Sequence, residues 1–382
     1  MVKAVPRKVV VAGTAFGRIY LQAIARSSGA FQLAGILSRG NTYSRACADH
    51  YGVPLFEDAD AVPEDTDIAC VVVRSGATGG PGSALAQRLL ARGIHVLQEH
   101  PVHHREIAAC LQAARAGNAA YAVNTLYPNI LAVRRFIAAA QFLKQEYGLA
   151  YIEAACNSQV AYPLLDILGR LSGGLRPWHF AEPANASRTA RSPWRYLNAE
   201  FNGIPIGLRV QNQVHPGDPD NHSHLLHRLE VGCEAGVLSL AETHGPVLWN
   251  PRLHAARDIT DRLIMAGPGS EDLAGPTLVT LDDQYPQSYH QVFREYWPDA
   301  VISALDALCA SIDEPRNRLQ GGRWATDVSL AWRDLNGIIG MPELIQPAVP
   351  ASLPLTRLQG CIDRVDRVNS TGQAQLLGVL PS

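Results

Sequence analysis

The chain has 382 residues, with 33 Lys and Arg against 35 Asp and Glu, a formal net charge of −2 with its 13 His neutral. That balance excludes a protein that grips nucleic acid by neutralising phosphates, or a membrane surface through a basic patch. With 47% hydrophobic and 18% charged residues the chain can bury a sizeable core and is not disordered. No apolar run approaches the roughly 20 residues that span a bilayer, and two domains are expected at roughly 100–200 residues each.

Residues 1–8 carry charge but lead straight into a short strand, with no signal-peptide cleavage site. Residues 8–12, Lys-Val-Val-Val-Ala, read as a strand buried on both faces. They end in Gly13-Thr14-Ala15-Phe16-Gly17-Arg18, and residues 19–25 read as helix. Strand, glycine turn and helix is the setting in which small residues hold a pyrophosphate. Gly13 takes the tight turn, while Ala15 and Gly17 let phosphate oxygens approach the N–H groups that open the helix. The turn is one residue shorter than G-x-G-x-x-G, and a plain strand-to-helix turn has the same look, so the next elements decide.

Residues 31–37 read as the second strand, ending in Ser38-Arg39-Gly40. No acid stands there to hold a ribose 2′-hydroxyl. A hydroxyl, a guanidinium and a glycine backbone suit a 2′-phosphate, so NADPH/NADP is expected; the plainer reading is a solvated turn. Arg45 on the following helix is a second candidate for that phosphate. Strand 68–73 runs into residues 74–80, Arg-Ser-Gly-Ala-Thr-Gly-Gly; helix 84–91, strand 94–99, helix 105–116 and strand 120–124 follow. Repeated units of this kind imply a doubly wound parallel sheet with ligands at the C-terminal strand ends. Those ends are Gly13, Ser38, Ser75, Glu99-His100-Pro101 and Asn124.

From about Tyr151 the character changes. Strands at 151–156, 204–214, 224–231 and 236–242 follow one another without helices between, which implies an α+β domain with a largely antiparallel open sheet. Helices at 291–311, with Pro298 marking a kink or a boundary, and at 323–339 are expected to pack beside the first domain. The fold class is therefore α/β, a Rossmann sheet plus a C-terminal α+β domain. Residues 1–125 form the NADP-binding domain, 126–345 the substrate and dimerisation domain, and 346–382 a peripheral segment opened by a Pro-rich connector at 346–354.

His222-Ser223-His224-Leu225-Leu226-His227 invites a metal reading. Its histidines divide between two strand faces and no Cys, Asp or Glu completes a tetrahedron, so no metal is expected. His103-His104 reads as a loop or a helix start. Seven widely spaced cysteines, none in a C-x-x-C pair, point to reduced thiols in the cytoplasm.

Taken together, the strand ends resemble the glucose–fructose oxidoreductase/inositol dehydrogenase (Gfo/Idh/MocA) family. The resemblance is carried by Glu99-His100-Pro101, by Asn124 followed by Pro128, and by a later helix with Leu165-Asp166-Ile167-Leu168-Gly169. Typical members have Lys where this chain has His100, and His where it has Arg170. Both proton-handling groups of a sugar alcohol dehydrogenase are thus replaced.

The short Gly-x-Ala-Phe-Gly turn, Glu-His-Pro, and Tyr127 just before Pro128 resemble one branch, the thiazolinyl imine reductases of siderophore pathways. That resemblance implies NADPH reduction of a thiazoline C=N bond to a thiazolidine, on an intermediate held by the carrier domain of a nonribosomal peptide synthetase. It places His100 and Tyr127 at the general-acid positions and implies a homodimer joined sheet to sheet.

Such a reduction needs a hydride at the ring carbon and a proton at the nitrogen. Tyr127 offers a phenol; His100 offers an imidazolium near pH 6.5 or an orienting contact to the phenol. The plainer readings are a Tyr127 covering a loop and a His100 bonded to backbone. Cofactor contacts are expected from Gly13, Thr14, Ala15, Phe16, Gly17, Ser38, Arg39, Gly40, Ser75 and Glu99. The clusters Arg176-Pro177-Trp178-His179 and Pro193-Trp194-Arg195-Tyr196 line an aryl-thiazoline pocket or form packed loops. A sugar or cyclitol dehydrogenase and a non-catalytic NADP sensor are the competing readings. Loss of the Lys and His weighs against the first, and retention of two proton donors against the second.

Overall fold

β1 (Arg7–Ala12) alternates between two cores. Val9 and Val11 bury with Ile19, Leu21 and Ile24, while Val10 and Ala12 bury with Ala86, Leu89 and Leu90 on the other side. A strand covered by helices on both faces has no polar positions, which is why the run is Val-Val-Val. In this computed structural model, which describes residues 5–76, 79–181, 192–218, 220–282, 287–346 and 352–370, β1 pairs in parallel with β2 (Phe31–Leu37) and β4 (Ile68–Val71). With β3 (Leu55–Phe56), β5 (His95–Glu99) and β6 (Tyr121–Asn124) it forms a six-stranded parallel sheet of order β3-β2-β1-β4-β5-β6. The order reverses between β1 and β4, and the C-terminal ends of these two strands are where sheets of this kind take their ligands. The connecting helices are α1 (Gly17–Arg26), α2 (Thr42–Tyr51), α3 (Pro81–Ala91) and α4 (His104–Ala116).

α5 (Leu131–Tyr147) is a 17-residue helix that the sequence reading passed over. Its buried Val133, Phe136, Ile137, Ala140 and Leu143 do carry helical spacing. β7 (Tyr151–Asn157) and α6 (Ala161–Ser172) follow, then β8 (Trp178–Ala181), β9 (Trp194–Phe201), β10 (Ile204–Gln211) and the short β11 (Gln213–Val214). β12 (His227–Cys233), β13 (Gly236–Leu240), β14 (Val247–Pro251) and β15 (Val279–Thr280) complete an eight-stranded sheet of order β15-β14-β13-β12-β7-β10-β9-β8. It is antiparallel throughout except where β7 meets β10. α5 and α6 lie against one face. The strand expected at 224–231 begins instead at His227, so His222 and His224 share no strand face.

α7 (Tyr289–Gln291) and a π-helical turn (Val292–Tyr296) lead into α8 (Trp297–Asp313), whose first turn accommodates Pro298. α9 (Arg316–Ile339) starts a full two turns before the expected 323. α8 lies on α1, and α9 on α4 and α6.

The chain divides into two compact units. The smaller, residues 214–223 with 343 onward, holds β16 (Glu343–Leu344), where the Ile345 N–H donates to the Val214 carbonyl at 3.0 Å, and α10 (Leu355–Ser370). Ala77 and Thr78 of the loop at 74–80, most of the Pro-rich connector, and residues 371–382 of the expected peripheral segment lie outside the described residues. No helix among the described residues is long and apolar enough to cross a membrane.

Candidate functional site

The glycine turn closes tightly on β4. Gly13 has φ +90°, and a Cβ there would stand 2.5 Å from the Val72 carbonyl oxygen. No other residue fits, so at position 13 the turn presents only backbone. Gly17 is less constrained, since a Cβ would meet Val11 and Val72 at ordinary distances. α1 opens at Gly17 with no acid in its first turn and no side-chain cap. The N–H groups that open the helix and the small residues Gly13, Ala15 and Gly17 fit a pyrophosphate.

The end of β2 is tied to this turn through Ser44, which the sequence reading missed. The Ser44 hydroxyl lies 2.8 Å from that of buried Thr14 and 2.7 Å from that of Ser38. Asn41 caps α2 by accepting from the Ser44 N–H. Arg39 is exposed beside them. Arg45 is engaged elsewhere, donating to the Gly40 carbonyl at 2.9 Å and pairing with Glu57 at 2.8 Å. Gly40 has φ +72°, and a Cβ there would strike Glu57 and Arg45. Ser75 is buried, its hydroxyl accepting from Gln98 at 2.9 Å and lying 3.1 Å from Ser83. A dinucleotide contact from this position therefore falls to its backbone.

Deeper, the ends of β5 and β6 converge with α1. The Tyr20 hydroxyl donates to the Glu99 carboxylate, and Asn124 Nδ2 donates to the Tyr20 oxygen at 2.6 Å. Burial, then the Glu99 charge, push the Tyr20 phenol well above its ordinary pKa, so it stays a neutral donor. His100 Nδ1 lies 3.0 Å from Glu99 Oε1 and 3.2 Å from the Asn124 carbonyl. Two acceptors fix the proton on Nδ1 and leave Nε2 as the exchangeable nitrogen. The His100 ring stacks on buried Tyr162 at 5.8 Å.

Tyr127 follows a strained backbone. Leu126 has φ +54° and ψ −63°, and the Tyr127 N–H donates to the Thr125 carbonyl at 2.6 Å. This is a γ-turn of the strained, positive-φ form. Tyr127 is buried, with its ring 4.8 Å from His227, 6.0 Å from Trp297 and 6.3 Å from His100. The plain reading of Tyr127 as a loop cover in water does not hold. Thr125 is anchored to the Asp166 carboxylate at 2.5 Å; Asp166 also accepts from Arg170 at 2.7 Å and Trp324 at 2.8 Å. Asp166 and Arg170 thus hold each other and the strand end.

His227 donates from Nε2 to the Val160 carbonyl (3.0 Å), and its Nδ1 lies 3.3 Å from the Thr243 hydroxyl. Burial pulls its pKa down to about 4, which keeps it neutral. Tyr20 and Trp297 are site residues to which no local motif points, and His227 stood out in the sequence only within a histidine cluster read for metal. Periodicity marks Tyr20 as core, and the other two sit far along the chain.

The remaining clusters do not join this centre. Arg176 pairs with Asp327 at 2.7 Å and lies over Trp178, whose indole donates to Asp334, so this group ties β8 to α9. Arg209 lies over Trp194, and Tyr196 is exposed. His103 caps α4 and His104 starts it. Among the described residues no group of three His, Cys, Asp or Glu is placed to hold a metal.

Two family models match the chain. Residues 7–125 match the Gfo/Idh/MocA oxidoreductase family, NAD-binding Rossmann fold, and residues 149–250 match the C-terminal domain of Irp3-like thiazolinyl imine reductases. No curated protein matches. Among solved structures, GenD2 from gentamicin A biosynthesis, in complex with NAD, is 12% identical over 86% of this chain and 93% of its own (TM-score 0.59). The 3-ketoreductase KijD10 from Actinomadura kijaniata, with TDP-benzene and NADP, is 15% identical over 90% and 100% (0.59). A putative myo-inositol dehydrogenase from Sinorhizobium meliloti is 13% identical over 86% and 95% (0.56). At these identities the likeness is one of fold.

Proposed function

Because the chain belongs to the Gfo/Idh/MocA family of NAD(P)-dependent oxidoreductases, as a member with an Irp3-like C-terminal domain, we propose that it reduces a thiazoline C=N bond to a thiazolidine with NADPH. The substrate is an intermediate of siderophore assembly carried by a nonribosomal peptide synthetase. The observation that carries the reading is the pairing of His100 with Tyr127 at the sheet's C-terminal edge, where the family's alcohol dehydrogenases have a lysine. An alcohol oxidation must remove a proton from oxygen, whereas an imine reduction must supply one to nitrogen.

The backbone of residues 13–17 and the opening of α1 hold the pyrophosphate. Ser38 and Arg39 receive the 2′-phosphate, while Arg45 cancels the Glu57 charge that would repel it. The bound coenzyme supplies the hydride. Glu99 and the Asn124 carbonyl hold the Nδ1 proton of His100, so Nε2 carries and releases the second proton. Tyr20 and Asn124 keep the Glu99 carboxylate in place against the ring. Tyr127 is the other donor at the same nitrogen; one of the two delivers while its neighbour orients it. Positioned proton donors are worth roughly 10²–10⁴-fold in rate.

A hollow of about 650 Å³ on one face of the second sheet, lined by Glu153, Tyr196, Arg209, Arg228 and Glu230, is the surface for a second copy of the chain. Steady NADPH consumption with a synthetic thiazoline thioester, and none with sugars or inositols, is the expected result. Consumption with a sugar and none with the thiazoline overturns the reading.

A further inference from the structure

Trp297 opens α8 and meets aromatic rings from distant parts of the chain. Its ring centre is 5.7 Å from Phe16 of the glycine turn, 6.0 Å from Tyr127 at 78°, and 4.9 Å from Phe293 at 88°. Its indole N–H donates to His244 Nε2 at 3.1 Å, with the two rings only 26° from parallel. An indole nitrogen can only donate, so Nε2 of His244 accepts and that ring's proton sits on Nδ1. Nδ1 faces the two Glu242 oxygens at 3.0 and 3.2 Å, and the His244 backbone N–H donates to the same carboxylate at 2.8 Å. Burial raises the Glu242 carboxyl, but the side-chain and backbone hydrogen bonds from His244 hold the group below its ordinary value. His244 itself is buried. The chain of donors runs one way, from indole to imidazole to carboxylate, and each tautomer is fixed by the next.

We propose that Glu242 and His244 orient Trp297, and that Trp297 sets the Tyr127 phenol relative to the dinucleotide turn, making all three positioning residues for proton delivery. The inference rests on the reading of Tyr127 given above. A hydride and a proton must reach adjacent atoms from two different parts of the protein. An error of about 1 Å between them costs on the order of 100-fold in rate. Trp297 touches the part that holds the coenzyme and the part that holds the proton, and its own orientation is fixed from a third.

The test follows the Trp297 indole N–H by NMR in protein labelled at its six tryptophans, with Trp297→Phe supplying the assignment. His244→Leu removes the acceptor, His244→Gln offers an amide oxygen in its place, and Glu242→Gln covers the case in which His244→Leu fails to fold. The indole signal is expected to move in His244→Leu and to respond to added NADPH in the wild type only. With the thiazoline, kcat is expected to fall about 10-fold or more in His244→Leu and to recover in part in His244→Gln, with KM for NADPH unchanged. Wild-type kcat beside a displaced indole signal overturns the proposal, as does an indole signal indifferent to loss of His244. If the wild type leaves thiazolines untouched, the reaction reading fails by itself. The indole response to NADPH then decides the positioning chain: lost with His244 it stands, unchanged it falls.

Discussion

Nδ1 of His100 is held by two acceptors and Tyr127 is wedged between three rings, so each can be removed without unmaking the coenzyme cradle. Tyr127→Phe and His100→Ala are expected to lower thiazoline turnover by about 10²–10⁴-fold for the true donor, with less for its neighbour. Calorimetric affinity for NADPH should stay unchanged, and full turnover in both variants removes them as acids. His227 gives a prediction of a different kind. Its pKa is about 4 in the folded protein against 6.5 in the free side chain. Between those values the unfolded chain takes up a proton that the folded protein refuses. The contribution of His227 to stability is therefore intact above 6.5 and is lost as pH falls toward 4, by about 1.4 kcal/mol per pH unit. Denaturant unfolding at pH 7 and pH 5 should show that loss, reduced in His227→Gln; an identical loss in the variant would exonerate His227. The strand-end residues Gly13, Ser38, Glu99, His100 and Asn124 were legible because a parallel sheet exposes only its C-terminal ends to ligand. Tyr20 was not, because its Glu99 partner lies 79 residues away, and Ser44 was not, because its tie to Thr14 spans 30 residues and its near partner Ser38 gives no pattern that marks the contact.

At the scale of elements, the glycine turn and the γ-turn do opposite things with backbone conformation. Gly13 adopts a positive φ that costs it nothing, whereas buried Leu126 adopts one that costs about 1–3 kcal/mol. The strain is sustained by Asn124 Oδ1, which accepts the Leu126 N–H at 2.9 Å, and by Thr125 on Asp166. Gly13→Ala would drive a methyl group into the Val72 carbonyl and pry β1 from β4. Loss of dinucleotide binding and a lower melting temperature are expected, checked by calorimetry and a thermal scan. Wild-type affinity in Gly13→Ala would mean that the turn can reshape. The first sheet could be read almost strand by strand, since residues such as Val9 to Val11 have no reading other than a doubly buried strand. α5 could not be, because its Ala-rich face dilutes the apolar spacing of Val133, Phe136 and Ile137. The late start assigned to α9 has a similar cause: Arg316, Arg318, Gln320 and Gly321 hide a helix under polar residues.

At the scale of the molecule, the second sheet carries charged and aromatic groups on a face that nothing covers among the described residues. Sedimentation is expected to show two copies per particle, and Tyr196→Asp, on a side chain 54% exposed at that face, to shift the particle toward one. A monomeric wild type would assign that face another role. The two sheets share buried apolar contacts. One apolar cluster takes in Tyr20 and Leu97 from the first sheet's layer, Ile152 and Val210 from the second, and Val301 and Val328 from the late helices.

The carboxylate of Asp166, held by Thr125 from one half and Trp324 from near the far end, has a consequence for how the protein is made. A ribosome adds about 5–20 residues per second, so the nascent chain spends many seconds with its glycine turn already synthesised and the group that steadies Tyr127 still inside the exit tunnel. The site is complete only after Trp324, 158 residues beyond Asp166, has emerged.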